Sequence, residues 1–492
     1  MYVGMNYING SFCPHRPDFE SWNPSNEEPV GIFPMSNYGD VAEAVQAARH
    51  AFFSWRELSR VVRAEYFDRL CEVLKAKKDY VVKAISLETG KSVNESLAEV
   101  NEALHMAQYT FGMGRMPFGE CVASEIAAKD SYVIRKPKGV VAVVSPWNFP
   151  FAIGGFWCAA PALLEGNTVV FKPSEDTPMV GQIIAELYEE AGFPPGVFNL
   201  VHGNGGVGDM LVNSKIDHIC FTGSAAVGQY IRQVCANSWH KTCSCELGSK
   251  SAVMVFADAD LDLALAGCVA SAYKLSGQRC VSSGRLLVES SVYNEFVSKF
   301  VDLSSKITVG DPFSDPVPFM GPLINAAQRG RVEKFNQAAS QNDFVQVLLK
   351  GQRAGDKGYF LTPHIYTCGW LSKDKMGVDD FLRDEVFGPH VAIIPFDGVE
   401  EAIGIFNDTE YGLSLGVCTS DFKKARLVRD KCDFGLGYWN GGSIAAESHL
   451  PFGGVKKSGN GLPSAAGTFR AVTHEVTWTV NHGPLAFPQG LQ

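Results

Sequence analysis

From Gly139 onward the chain repeats one pattern: a short β-rich apolar run, a stretch with apolar positions at helical spacing, then another short run. Residues 140–144, 168–172, 198–201, 218–222 and 242–247 are such runs, with helical stretches such as 179–191 between them. This predicts parallel strands joined by crossover helices, because parallel neighbours need a connection long enough to span the sheet. A second series begins near Ser251, with strands at 252–256, 285–288 and 390–395 around helices such as 292–303. Two series suit a chain of 492 residues, since single cores stop growing at about 250 to 300 residues. The fold class is therefore α/β. Upstream, 40–57 and 61–84 carry apolar positions at helical spacing, among them Val41, Ala44, Val45 and Ala48, and predict helices that cover one sheet face. The segment 471–481 alternates like an edge strand, which pairs either within the chain or with another subunit.

Residues 139–164 carry no charge and are long enough for a membrane helix of roughly 20 residues. Pro146, Asn148, Pro150 and Pro161 argue instead for strand, turn and buried helix, because proline removes a backbone donor and an amide in hydrocarbon is costly. The first ten residues have no basic start followed by an apolar core, so no signal peptide is expected. Thirteen cysteines scatter from Cys13 to Cys432 without the spacing of a disulfide framework, which fits a reducing, cytoplasmic setting. A net charge of −10 offers no basic face for nucleic acid. The expected partner is a small molecule, with no nucleic acid and no membrane.

Gly203, Gly205 and Gly208 match G-x-G-x-x-G after a predicted strand, but the acidic residue of a dinucleotide fingerprint is missing about twenty positions on, where Phe221 and Thr222 stand. A tight strand-to-helix turn accounts for those glycines at least as well as a dinucleotide site does. Phe221, Thr222, Gly223 and Ser224, followed by Gly228, end a strand in small residues before a helix whose free amides can hold a pyrophosphate. Ser224 then serves as a donor to that group or only as an N-cap. Lys172 and Glu175 follow another strand end; Glu175 can accept from both ribose hydroxyls and repel the extra phosphate of NADP, or both are solvated loop charges. Cys280 lies among small polar residues beside Arg279, a setting that can lower a thiol pKa and make a nucleophile. Cys243 and Cys245 lack the second half of a zinc site and read as alternating strand residues; no metal is expected.

Taken together, Ser145 to Pro150, Lys172 to Glu175, Phe221 to Ser224, Glu246-Leu247-Gly248, Gly277 to Cys280, Glu385 to Pro389 and Pro451 to Gly454 resemble the aldehyde dehydrogenase superfamily in order and spacing, over nearly the whole chain. The resemblance implies a Rossmann-like NAD-binding domain (1–121 and 142–247), a second α/β catalytic domain (248–450), and a small β-flap for oligomerisation (122–141 and 466–487). It makes Cys280 the nucleophile, Glu246 the general base and Asn148 the oxyanion donor. Trp147, Lys172, Glu175, Gly223, Ser224, Glu385 and Phe387 become the residues around NAD, with NADP less favoured, and a homodimer or homotetramer is expected. Ser249 departs from the family, which usually has a second glycine there, and a side chain at that point could constrain the base. Gln278-Arg279-Cys280 and Ser458 to Ala465 are similar to the semialdehyde branch, particularly succinylglutamate semialdehyde dehydrogenases. A distal carboxylate would then meet Arg279, Ser282 and Ser443, the alternative for Arg279 being a surface or structural residue. The alternatives are a broad-specificity aliphatic aldehyde dehydrogenase, a coenzyme A-acylating enzyme, for which Glu246 is unneeded, a cysteine hydrolase without a coupled histidine, and a protein that keeps the fold without turnover.

Overall fold

The computed structural model describes residues 1–14, 18–372, 375–376, 380–484 and 490. Two seven-stranded sheets organise the molecule. The first runs in the spatial order Thr242–Glu246, His218–Thr222, Val140–Val144, Thr168–Lys172, Phe198–Leu200, Asn6–Ile8, Ser11–Cys13. Its first five strands are parallel, and the two N-terminal ones extend it as an antiparallel hairpin. The chain enters at Val140–Val144, winds outward through two strands, then returns to the other side at His218–Thr222. That reversal is a topological switch point, where the strand ends leave a crevice for a ligand. The second sheet centres on Ser251–Val255, Ser283–Glu289 and His390–Phe396, and among the described residues only its Gln346–Leu349 strand is antiparallel to its neighbour.

These central strands are buried on both faces, which is why they read as continuous apolar runs. One face of the first sheet packs on helices within 60–113 through Phe67, Leu70, Ile85 and Met106, all fully buried. The opposite face packs on the helix Tyr38–Trp55 through Val41, Ala44 and Ala48. Trp55 is 1 % exposed and its indole donates to Leu163 O at 2.9 Å; burying a large apolar side chain contributes about 1.5–3 kcal/mol.

The predicted helix over 61–84 is two helices, Arg60–Ala76 and Lys78–Thr89. Lys77 leaves helical dihedrals (φ −102°, ψ 10°) between them, which apolar periodicity alone does not reveal. The uncharged stretch 139–164 becomes a strand, a turn and a buried π-helix, Ala152–Ala159, followed by Ala160–Leu164. Among the described residues no helix is long and apolar enough to cross a membrane. The terminal strand Thr473–Asn481 pairs within the chain, antiparallel to Lys129–Pro137, and Gly119–Val122 completes a three-stranded flap. Residues 485–487 of the expected terminal segment lie outside the described residues.

Candidate active site

Cys280 sits half-buried on a loop between the helix Leu261–Tyr273 and the strand Ser283–Glu289. Leu275, Ser276 and Gly277 all adopt positive φ (54°, 53° and 73°). The first two are non-glycine residues, and each costs about 1–3 kcal/mol in that conformation unless the surroundings hold it. They are held: Leu275 N donates to Glu95 Oε1 at 2.6 Å, Ser276 Oγ to Gly321 O at 2.7 Å, and Gln278 Oε1 accepts from Ile324 N at 3.0 Å. Gly277 is obligatory, since a Cβ there would lie 2.3 Å from Gly388 O. This turn aims Cys280 into a cleft of about 430 Å³ that also exposes Asn148, Trp147, Ser224, Glu385 and Phe387.

The same turn corrects an expectation. Arg279 does not face the thiol; its Nη2 lies 3.3 Å from Glu95 Oε1 and its guanidinium stacks over Phe149 at 5.2 Å. Burial, followed by the nearby Glu385 and Glu246 carboxyls, pushes the Cys280 thiol up to about 12 rather than down. Below that value the thiolate fraction rises about tenfold per pH unit. Alkylation of Cys280 by iodoacetamide, read by peptide mass spectrometry, should therefore climb with a slope near one between pH 7 and 9. A plateau above neutral pH would contradict it.

Asn148 follows the strand Val140–Val144, and a buried ion pair fixes it. Lys91 Nζ donates to Asn148 O at 2.7 Å and pairs with Glu99, both side chains being almost inaccessible. Glu99 Oε1 also accepts from Phe151 N and Ala152 N at 2.9 and 3.1 Å, so it holds the turn on the far side of Asn148 too. Breaking such a pair leaves an uncompensated charge and costs about 3–5 kcal/mol. Asn148 Nδ2 donates to Gln278 O at 3.0 Å, two residues before Cys280. An amide carries two hydrogens, so one remains for an oxygen beside the sulfur.

Glu246 ends the strand Thr242–Glu246 and is 5 % exposed. Both its carboxyl oxygens are buried without a hydrogen-bond partner among the described residues. Burial, with the Cys158 thiol behind it, holds the group well above the ordinary carboxyl range. A carboxyl left uncommitted and easily protonated is poised for proton transfer to or from water. Gly453, at φ +155°, makes room for it: a Cβ there would lie 2.6 Å from Glu246 Oε1. Ser249 does not touch the base; its N–H donates to Glu385 Oε1 at 2.8 Å and its hydroxyl meets Ser251 Oγ at 2.6 Å.

A second cavity, of about 370 Å³, lies at the switch point and is lined by Lys172, Glu175, Gly205, Gly208 and Phe221. Lys172 is buried, donates to Pro173 O and Gly203 O at 2.6 and 2.7 Å, and stands 3.6 Å from the half-exposed Glu175. Ser224 caps the helix Ala225–Ala236 by accepting from Val227 N at 3.4 Å, which leaves its own proton free to donate. Trp147 and Phe387 meet edge to face with centroids 5.5 Å apart. Phe387 takes φ +61°, held by Gln328 Nε2 donating to its carbonyl at 2.6 Å. Sequence reasoning missed Gln328, Arg331 and Tyr411 in this cleft; they come from distant segments and carry no local motif.

Of the residues expected near a distal carboxylate, Ser443 is fully buried, and its hydroxyl donates to Val281 O while Ser283 lies 2.8 Å away. Its donor is thus engaged. Ser282 Oγ accepts from Arg279 N at 3.3 Å and keeps its proton free. Arg279 Nε is buried without an acceptor among the described residues. A residue not anticipated is Glu102, which follows Glu95 and Glu99 at helical spacing on Val93–Met113 and is raised to about 7, first by burial and then by Glu99.

A half-buried cysteine, an amide donor and an uncommitted buried carboxyl, grouped at strand ends beside a two-part crevice, are the apparatus of covalent catalysis. The chain belongs to the aldehyde dehydrogenase family, whose model matches residues 13–478. It is 34 % identical over 467 residues to aldehyde dehydrogenase [NAD(P)+] 1 of Saccharomyces cerevisiae, covering 92 % of this chain and 90 % of that one. It is 32 % identical to the α-ketoglutaric semialdehyde dehydrogenase of Bacillus subtilis, over 92 % of this chain and 93 % of that one. Betaine aldehyde dehydrogenase from Staphylococcus aureus, solved in complex with NAD+, superposes with a TM-score of 0.92 at 29 % identity, covering 99 % of this chain and 96 % of that one.

Proposed function

We propose that this protein oxidises an aldehyde to its carboxylate with NAD, through a thioester on Cys280 that is hydrolysed with Glu246 as general base. The observation that carries this reading is the convergence of Cys280 and Asn148 on one cleft, with the unpartnered Glu246 carboxyl at a neighbouring strand end. NAD fits the residues present: the crevice runs from Glu175 past the N-terminus of Ala225–Ala236 to Glu385 and Phe387. When bound, it supplies the hydride acceptor. Cys280 gives up its thiol proton to solvent and attacks the aldehyde carbon, and the second Asn148 hydrogen meets the developing oxyanion, where one preorganised donor typically gives about 10²–10³ in rate. After hydride loss the thioester is attacked by a water whose proton Glu246 takes.

The narrower reading is a carboxylated semialdehyde such as N-succinylglutamate 5-semialdehyde. Its support is a relative named for a carboxylated semialdehyde, with the unpaired Arg279 Nε and the Ser282 proton close by on the thiol loop, although neither side chain lines the Cys280 cleft. Glu102, set beside Arg279, works against an anion as it ionises near neutral pH. The flap Gly119–Val122, Lys129–Pro137 and Thr473–Asn481 is our candidate for the contact of a homodimer or homotetramer.

NADH formation across succinylglutamate, glutamate and succinate semialdehydes and simple aliphatic aldehydes tests the reading. Preference for one carboxylated substrate supports the narrower form, broad aliphatic activity removes it, and no NADH from any of them removes both. Glu175→Ala should narrow the preference for NAD over NADP, measured as the ratio of kcat/KM, by about tenfold, since it removes the charge that repels a 2′-phosphate. An unchanged ratio takes Glu175 out of the ribose site.

A further inference from the structure

Among the described residues the strand Thr242–Glu246 is the edge of its sheet, and apart from a single antiparallel bridge between Glu246 and Gly459 the outward groups of Cys243, Cys245 and Leu247 have no neighbouring strand. Unpaired edge groups leave a strand end free to shift, and here the strand end carries the base. Asn460 occupies that edge. Its Oδ1 accepts from Cys245 N at 2.8 Å, its Nδ2 donates to Cys243 O at 2.8 Å, and its backbone N–H donates to Cys245 O at 3.3 Å. The backbone partners fix the amide's orientation, because an N–H must meet the oxygen and a carbonyl must meet the nitrogen. One step further, Leu247 N donates to Ser458 O at 2.9 Å. Glu246 thus stands between two pinned residues, and its carboxyl lies against Gly453 of the same C-terminal segment.

We propose that Asn460 is a positioning residue for the general base: its side-chain amide replaces the missing strand and sets where the Glu246 carboxyl stands over the thioester. This rests on the role proposed for Glu246. Asn460 is itself exposed and touches neither the thiol nor the oxyanion donor, so its loss should spare acylation.

The test is rapid-mixing NADH kinetics on Asn460→Ala, with parent and Cys280→Ala beside it. The fast phase that reports acylation should stay within about twofold of parent. The steady rate should fall about ten- to a hundredfold, the scale of a misplaced catalytic group. Asn460→Asp keeps the acceptor for Cys245 N and loses the donor to Cys243 O, so its steady rate should lie between parent and Asn460→Ala. It also carries the test if Asn460→Ala does not fold. A proportional fall of both phases makes Asn460 merely structural and overturns the proposal, as does an unchanged steady rate. A parent whose NADH formation equals that of Cys280→Ala sinks the proposed function itself, a different failure.

Discussion

Cys280→Ala is expected to lower NADH formation from every aldehyde by about 10⁴- to 10⁶-fold, the loss typical when a nucleophile is removed from a covalent mechanism. No nearby thiol can replace it: Cys158 is buried behind Glu246 and Cys220 lies within a central strand. The variant should remain folded, with an unfolding temperature close to that of the parent. The strained turn before Cys280 is held by Glu95, Ser276 and Gln278, and none of those bonds involves the sulfur. A folded variant that keeps a tenth of the parent rate would show that the thiol is not the nucleophile.

Glu246→Gln should separate the two halves of the reaction. Acylation needs Cys280 and Asn148, so one equivalent of NADH per site should still appear in a burst. Turnover afterwards should drop by about 10²- to 10⁴-fold, the usual contribution of general-base catalysis. Stability provides the control. Glu246 has a folded pKa raised above its unfolded value, so the folded state holds its proton more tightly, and ionisation on raising the pH works against the fold. The parent should therefore lose stability relative to Glu246→Gln as pH rises from about 5, the reverse of what a damaging substitution would give. If added coenzyme A restores full turnover to the variant, the acyl group goes to a thiol acceptor and the water-activating role fails.

The central strands were legible because each is a short buried run closed by turn residues: Val140–Val144 follows Gly139, and Thr168–Lys172 lies between Asn167 and Pro173. The helix Val93–Met113 escaped because its inward face carries Glu95 and Glu99 where apolar residues would be sought. Their partners, Arg279 and Lys91 with the 151–152 backbone, become visible only once the chain has folded. Cys280, Glu246 and Asn148 could be named from motifs. Adjacency in sequence misled at Arg279, since it placed the guanidinium beside the thiol and could not show that three successive positive φ angles send it to Glu95. The role proposed for Asn460 was hidden because its bonds reach across 215 and 217 positions of chain.

The most direct test of the thioester is to mix Glu246→Gln with NAD and an accepted aldehyde, quench after the burst, and locate the acyl group by peptide mass spectrometry. The account predicts one acyl group per chain, on the peptide containing Cys280 and removable by hydroxylamine. NADH formed in stoichiometric amount with Cys280 unmodified would contradict it.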